Sequence, residues 1–279
     1  MSKVSVIMPC YNDGEYIEES IKSVLVQSYN DIELVIINDG STDEKTTQII
    51  NQLSHPQIKV LHTTNIGPAA ARNFGIQNSS GKYVLPVDAD DKIHPLYVEK
   101  CVQELEQNPH IGIVYCYAEL FGEQSGKWDL PDYSFEKMLL DNIIFVTSMF
   151  RKEDWEAVGG FNEQLVDGME DYDFWLSILE LDREVIQFKE ILFYYRIKKV
   201  SRTTKFSDNA EVVKNTYRQI YLNHPKFYSK YSNEYAMVLR DALIEHIHIN
   251  RRLTDLGSVL NKVKRITKVK NLLKKILMK

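Results

Sequence analysis

Short β-rich runs alternate with helical patterns through the first 116 residues, and no other feature narrows the fold of this chain as much. Val4–Met8, Glu33–Asn38, Ile58–His62, Tyr83–Val87 and Ile111–Cys116 read as strands, and Glu15–Val26, Asp43–Leu53, Pro68–Gln77 and Pro95–Glu106 read as helices. This order predicts an α/β fold built on a Rossmann-like, doubly wound and mainly parallel sheet. Ligands of such sheets bind beyond the carboxyl ends of the strands. Those ends are distinctive here: Pro9-Cys10-Tyr11-Asn12 after the first run, Asn38-Asp39-Gly40-Ser41 after the second, and Asp88-Ala89-Asp90-Asp91 after the fourth. All of them should meet at one crevice.

The cluster Asp88, Asp90 and Asp91 places like charges side by side, which costs stability unless a proton or a cation offsets it. Oxygen ligands of this kind suit Mg²⁺ or Mn²⁺, and such ions usually complete their shell with water and substrate phosphate. A phosphorylated substrate is therefore one reading, and an acidic turn capping the helix near His94-Pro95 is the other. The third helix opens at Asn65-Ile66-Gly67-Pro68, where Gly permits close backbone approach and Pro suits a first turn, and carries Arg72-Asn73 one turn in. A second acidic group, Glu170, Asp171 and Asp173, lies at the start of the helical pattern Phe174, Trp175, Ile178, Leu179. The helix dipole alone favours acids there; alternatively, one of them is turned into the crevice as a general base.

Residues 117–133 read as a loop rich in Gly, Gln and Ser, and Ile143–Phe150 as a further strand. Beyond about residue 205 the strand signal ends, which divides the chain into a domain over 1–205 and a C-terminal helical region over 206–279. A net charge of -5 gives no ground for a nucleic-acid partner. Cys10, Cys101 and Cys116 have no metal-ligand spacing and read as reduced thiols of a cytoplasmic protein. No run is long enough to span a membrane, and the first residues lack the apolar stretch of a secretory signal. Residues 257–279 carry Lys and Arg with no Asp or Glu, and Val263, Ile266, Val269, Leu272, Leu273, Ile276 and Leu277 recur at helical spacing. Such a basic amphipathic helix can lie on an anionic membrane surface, pack on a partner subunit in a homo-oligomer, or cover its own core.

Val4 to Asn12, Ile36-Ile37-Asn38-Asp39-Gly40-Ser41-Thr42-Asp43, Ala71-Arg72-Asn73-Phe74-Gly75-Ile76, Asp88-Ala89-Asp90-Asp91, Gly159-Gly160-Phe161-Asn162-Glu163 and Glu170-Asp171 occur in that order. Together they resemble the family 2 nucleotide-sugar glycosyltransferases of the GT-A fold, of bacterial surface-glycan type, over residues 3 to 205. The resemblance implies inverting transfer of a sugar from a nucleoside diphosphate, a UDP-sugar by preference, to an acceptor hydroxyl on a glycan, a lipid-linked sugar or a glycoprotein. By position it implies Pro9, Tyr11 and Asp39 at the nucleoside, Arg72 on the nucleotide side, Asp88 and Asp90 at the ribose and the Mn²⁺ or Mg²⁺, with Asp91 a further ligand, and Asp171 as catalytic base. Trp128, Trp155 and Glu170 fall on the acceptor side.

One segment departs from the family pattern. Tyr194-Tyr195-Arg196-Ile197-Lys198-Lys199-Val200-Ser201 has Lys198 where a His is common, and a protonated Lys cannot ligate a metal. Arg196 and Lys198 are then expected to clamp the donor diphosphate from a mobile segment. Two further readings are a sugar nucleotidyltransferase, which would need a Gly-rich phosphate loop that is not seen here, and a noncatalytic scaffold that binds nucleotide sugars. With the tail on a membrane, the enzyme would be peripheral at the cytoplasmic face.

Overall fold

A computed structural model describes residues 2–199 and 201–253. The expected amphipathic tail at 257–279 lies outside them. Two compact units are distinguished, Met1–Lys230 and Tyr231–Lys279. In the second, residues 232–253 are helical. Among the described residues no helix is long and apolar enough to cross a membrane.

In the first unit, β1 (Val4–Cys10), β2 (Ile32–Asp39), β3 (Ile58–Thr63) and β4 (Tyr83–Pro86) alternate with α1 (Ile17–Leu25), α2 (Glu44–Gln52) and α3 (Pro68–Gln77). Then come β5 (Lys92–Ile93), α4 (Tyr97–Gln107), β6 (Ile111–Gly122), β7 (Gly126–Lys127), α5 (Phe135–Met138), β8 (Met149–Arg151), α6 (Lys152–Val158) and α7 (Glu170–Leu179). The chain continues through β9 (Glu184–Ile197), α8 (Arg202–Ser207), α9 (Ala210–Asn223) and α10 (Pro225–Lys230). The strands run in the order β3-β2-β1-β4-β8-β6-β9-β5, with β7 on β6. β1, β2, β3 and β4 are mutually parallel, as are β6 and β9, while β8 pairs antiparallel on both of its sides.

The parallel strands carry continuous apolar runs because the sheet is buried on both faces there: Val6, Ile7, Leu34, Val35, Ile36 and Ile37 have no solvent exposure. Chain order reverses at β1, from which β2 and β4 lie on opposite sides, so the loops after these strands open a crevice at the switch point. Helix starts are chemically marked. Asp43 accepts from Thr46 N–H at the start of α2, Pro68 occupies the first turn of α3, and Ser201 and Thr204 form a capping box on α8.

Two of the expected elements take a different form. The stretch 117–133 is a loop only in part: β6 continues to Gly122 because Ala118 to Gly122 pair with Phe193 to Ile197 of β9, and the Gly-rich signal marks only the hairpin turn. The apolar run from Ile143 forms a strand only at Met149–Arg151. Ile143, Ile144 and Phe145 are buried without a ladder, a state that apolar periodicity cannot separate from a strand.

Helices α9 and α10 hold α7 from below. His224 is buried with its ring nitrogens 3.3 Å from Asp173 and 3.4 Å from Glu180, and Asn223 donates to Asp173 at 2.7 Å. Burial works against the charged ring, but the two carboxylates outweigh it and raise the His224 pKa. A raised folded-state pKa adds stability that is complete below the unfolded value of about 6.5 and is lost as pH climbs through the folded value. The melting-temperature gap between the wild type and His224→Gln is therefore expected to be widest near pH 6 and to narrow above pH 7. A gap that stays constant from pH 6 to 9 would remove the charged pair from the account.

Candidate active site

A cleft of about 710 Å³ opens at the carboxyl ends of β1, β2 and β4. Pro9, Tyr11, Asp39, Arg72, Asp88, Asp90, Asp91, Trp128, Glu170, Asp171 and Lys198 all line it, so most of the residues marked in the sequence meet. Arg196 and Trp155 are not in its wall.

The end of the cleft nearest Tyr11 and Asp39 is built from two tied loops. Asn12, at φ 59°, accepts through Oδ1 from Thr42 N–H at 2.8 Å and Asp43 N–H at 3.2 Å, which fixes the loop after β1 to the loop after β2. Asp39 is buried; Oδ1 accepts from Thr63 Oγ1 at 2.6 Å and Ile66 N–H at 2.7 Å, and Oδ2 from Gly67 N–H at 3.0 Å. It thus holds the entrance to α3, and its remaining lone pairs can still accept from a base. Tyr11 is 44% exposed, an open aromatic face at the cleft edge.

Arg72 joins the two acidic clusters. Buried on α3, it donates to Asp88 Oδ1 at 2.7 Å and to Glu170 Oε1 at 2.8 Å. Desolvation opposes its charge, but Asp88 and Glu170 more than offset this and raise its pKa. Glu170 also receives Arg202 from α8, at 2.9 and 3.0 Å. Burial disfavours the Glu170 carboxylate, yet the two guanidinium groups hold its pKa below the ordinary range. Glu170 is thus enclosed by two arginines where it lines the cleft.

Asp173 is turned under α7 toward His224 and Asn223. That leaves Asp171, half-buried, accepting from Tyr172 N–H at 2.9 Å. Among the described residues no cation forms an ion pair with it. Burial first, and the charge of Glu170 second, push its pKa up to about 7. A carboxylate with that pKa is suited to take a proton near neutral pH. Met169, at φ 66°, turns the backbone into α7 directly ahead of these residues.

On the opposite wall, Asp90 Oδ2 lies 2.6 Å from Lys198 Nζ, and Asp13 Oδ1 lies 3.1 Å from the same nitrogen. Burial raises the Asp90 pKa, as do Asp88 and Asp13, with Lys198 opposing. Asp91 is buried and accepts from Arg196 N–H at 2.8 Å; burial holds its pKa well above the usual carboxylate range. Arg196 supports the cluster from behind, donating through Nε to Asp90 O at 2.7 Å, pairing with Glu19, and stacking over Tyr16 and Phe121. Asp88 and Asp90 are hard oxygen donors at the cleft and fit Mg²⁺ or Mn²⁺ with a diphosphate completing the shell. Among the described residues no group of three or more His, Cys, Asp or Glu is arranged to hold a metal ion by itself.

Beyond Asp171 the cleft is apolar. Trp128 stacks on Tyr195 with ring centroids 4.6 Å apart and on Phe145 at 6.0 Å, beside Leu120, Leu130 and Ile143. Trp155 instead donates from Nε1 to Asn73 Oδ1 at 3.1 Å. Asn73 in turn accepts from Phe161 N–H and donates to Phe161 O, both at 2.8 Å. It clamps the Gly159-Gly160 turn, where a Cβ on Gly160 would come within 2.6 Å of Asn73 Oδ1. Asp13 and Arg202 were not marked by the sequence, since each is a single charged residue outside any recognisable motif.

The sequence matches the profile of glycosyl transferase family 2 over residues 5–161. It is 31% identical over 186 residues to a chondroitin synthase of Pasteurella multocida, covering 64% of this chain and 19% of that protein. The match thus spans about a fifth of the synthase. Among solved structures, S. aureus TarS 1-349 in complex with UDP superimposes with a TM-score of 0.61 at 23% identity, covering 79% of this chain and 65% of that one. Mannosyltransferase PcManGT from Pyrobaculum calidifontis, in complex with GDP-Man and Mn²⁺, gives 0.60 at 19% identity over 87% and 75%. These likenesses establish a GT-A glycosyltransferase fold.

Proposed function

Because the chain belongs to glycosyl transferase family 2, we propose that its cleft transfers a sugar from a nucleoside diphosphate, UDP by preference, to an acceptor hydroxyl with inversion of configuration. The observation that carries this reading is the convergence on one cleft of Asp171, without an ion pair among the described residues, and Asp88 with Asp90.

Tyr11 offers the base a stacking face and Asp39 accepts from its edge. Asp88, steadied by Arg72, and Asp90 face the diphosphate, and Lys198 supplies a positive charge there. A divalent cation, when bound to these carboxylates, supplies Lewis-acid stabilisation of the leaving diphosphate. Asp171 takes the proton of the acceptor hydroxyl as its oxygen bonds to the anomeric carbon, and the bond from that carbon to the diphosphate oxygen breaks, the nucleoside diphosphate leaving with the electron pair. A single in-line displacement inverts the centre and needs no protein nucleophile. With Glu170 between two arginines and Asp173 beneath the helix, neither is available for a double displacement. The stacked Trp128 and Tyr195 suit the apolar face of an acceptor sugar.

Calorimetric titration with UDP, TDP and GDP, each with Mn²⁺ and with EDTA, tests the donor half of the proposal. UDP is expected to bind best and to weaken when the metal is chelated. If none of the three binds, the donor-site assignment is wrong.

A further inference from the structure

Lys198 is a cation built into the position where the acidic cluster calls for one. Its ammonium bridges Asp90 at 2.6 Å and Asp13 at 3.1 Å, and all three side chains are only partly exposed, at 25%, 17% and 20%. Both partners are held by the fold. The Asp13 carbonyl accepts from Tyr16 and Ile17 N–H at the start of α1, and the Asp90 carbonyl accepts from Arg196 Nε. The lysine itself stands one residue past the end of β9, whose last turn of chain is fastened through Arg196 N–H to Asp91. A bridge from a long, flexible side chain to fixed carboxylates can open without moving the backbone.

We propose that Lys198 is a resident counter-ion of the diphosphate site, which competes with a divalent cation for Asp90 and releases it only when a donor diphosphate takes over the ammonium. This rests on the donor-site reading above and adds an order of loading to it. Without nucleotide, an entering Mn²⁺ must displace an ammonium already paired with two carboxylates, so it binds poorly alone. A nucleoside diphosphate brings new oxygen acceptors for Lys198, so the lysine moves onto phosphate and Asp90 becomes free for the metal. Asp13 serves as the second holder of the lysine, a positioning residue that the motifs did not mark.

The test compares wild type, Lys198→Met and Lys198→Arg by Mn²⁺ titration without nucleotide, followed by electron paramagnetic resonance, and by calorimetric titration with UDP in EDTA. Removing one positive charge from a carboxylate cluster is expected to tighten nucleotide-free Mn²⁺ binding by about tenfold in Lys198→Met. The same substitution should weaken metal-free UDP binding by about tenfold, and Lys198→Arg should stay near wild type in both. Nucleotide-free Mn²⁺ affinity no tighter in Lys198→Met than in wild type overturns the proposal. If UDP binds wild type but its metal-free affinity is unchanged by Lys198→Met, the exchange fails while the donor site stands. If UDP binds wild type under no condition, both fail.

Discussion

Asp171→Asn is expected to lower the rate of sugar transfer by about 10²- to 10⁴-fold, the usual contribution of a general base, while donor binding stays within about a factor of three. Asparagine keeps the size of the side chain and can still accept from Tyr172 N–H, but it cannot take a proton at neutral pH. The pH profile provides an independent check. A general base works when deprotonated, and burial pushes the Asp171 pKa up to about 7, so with Asp171 in that role wild-type activity should rise as pH climbs from 6 to 8. In Asp171→Asn the residual rate should lose that limb. A variant retaining more than about a tenth of wild-type turnover would show that the proton goes elsewhere.

The second large effect is on stability. Arg72→Met should destabilise the first compact unit by about 3 kcal/mol, near the low end for breaking a buried ion pair, because Arg202 still faces Glu170 and Asp88 retains contact with water. For a unit of this size that corresponds to a melting temperature lower by roughly 6 to 12 °C. Arg72→Lys should recover only part of the loss, since one ammonium cannot present the two directed donors that reach Asp88 and Glu170. A shift of less than about 2 °C for Arg72→Met would mean that the paired charges contribute little net stability.

The alternation of strands and helices up to residue 116 was legible because each buried parallel strand is a short apolar run closed by a polar loop. The cleft lining was legible where its residues lie at or just past the ends of those strands: Pro9, Tyr11, Asp39, Asp88 and Asp90 are placed by local chain geometry. The ion pairs were not. Arg72 meets Glu170 across 98 residues and Lys198 meets Asp13 across 185, and neither distance leaves a mark in spacing. The same limit explains Trp155 and Arg196. Each sits beside a residue of a motif, yet Trp155 hydrogen-bonds Asn73 and Arg196 braces the acidic cluster from behind. The long strand β9 was also missed, since its pairing with β6 is broken by register shifts near Tyr117 that blur the alternation.

Asn73 and the Gly159-Gly160-Phe161 turn belong to different sequence motifs but form one joint. This bears on how the chain can be recombined with its relatives. A chimera that takes residues up to about 150 from one parent and the remainder from another would set the third helix of one against the Gly-Gly-Phe turn and the seventh helix of the other. The seam would run through the Asn73 clamp and the Arg72–Glu170 pair. Crossovers should therefore retain a shared Arg-Asn on the third helix together with the Gly-Gly-Phe turn, so that both partners of these contacts come from compatible parents.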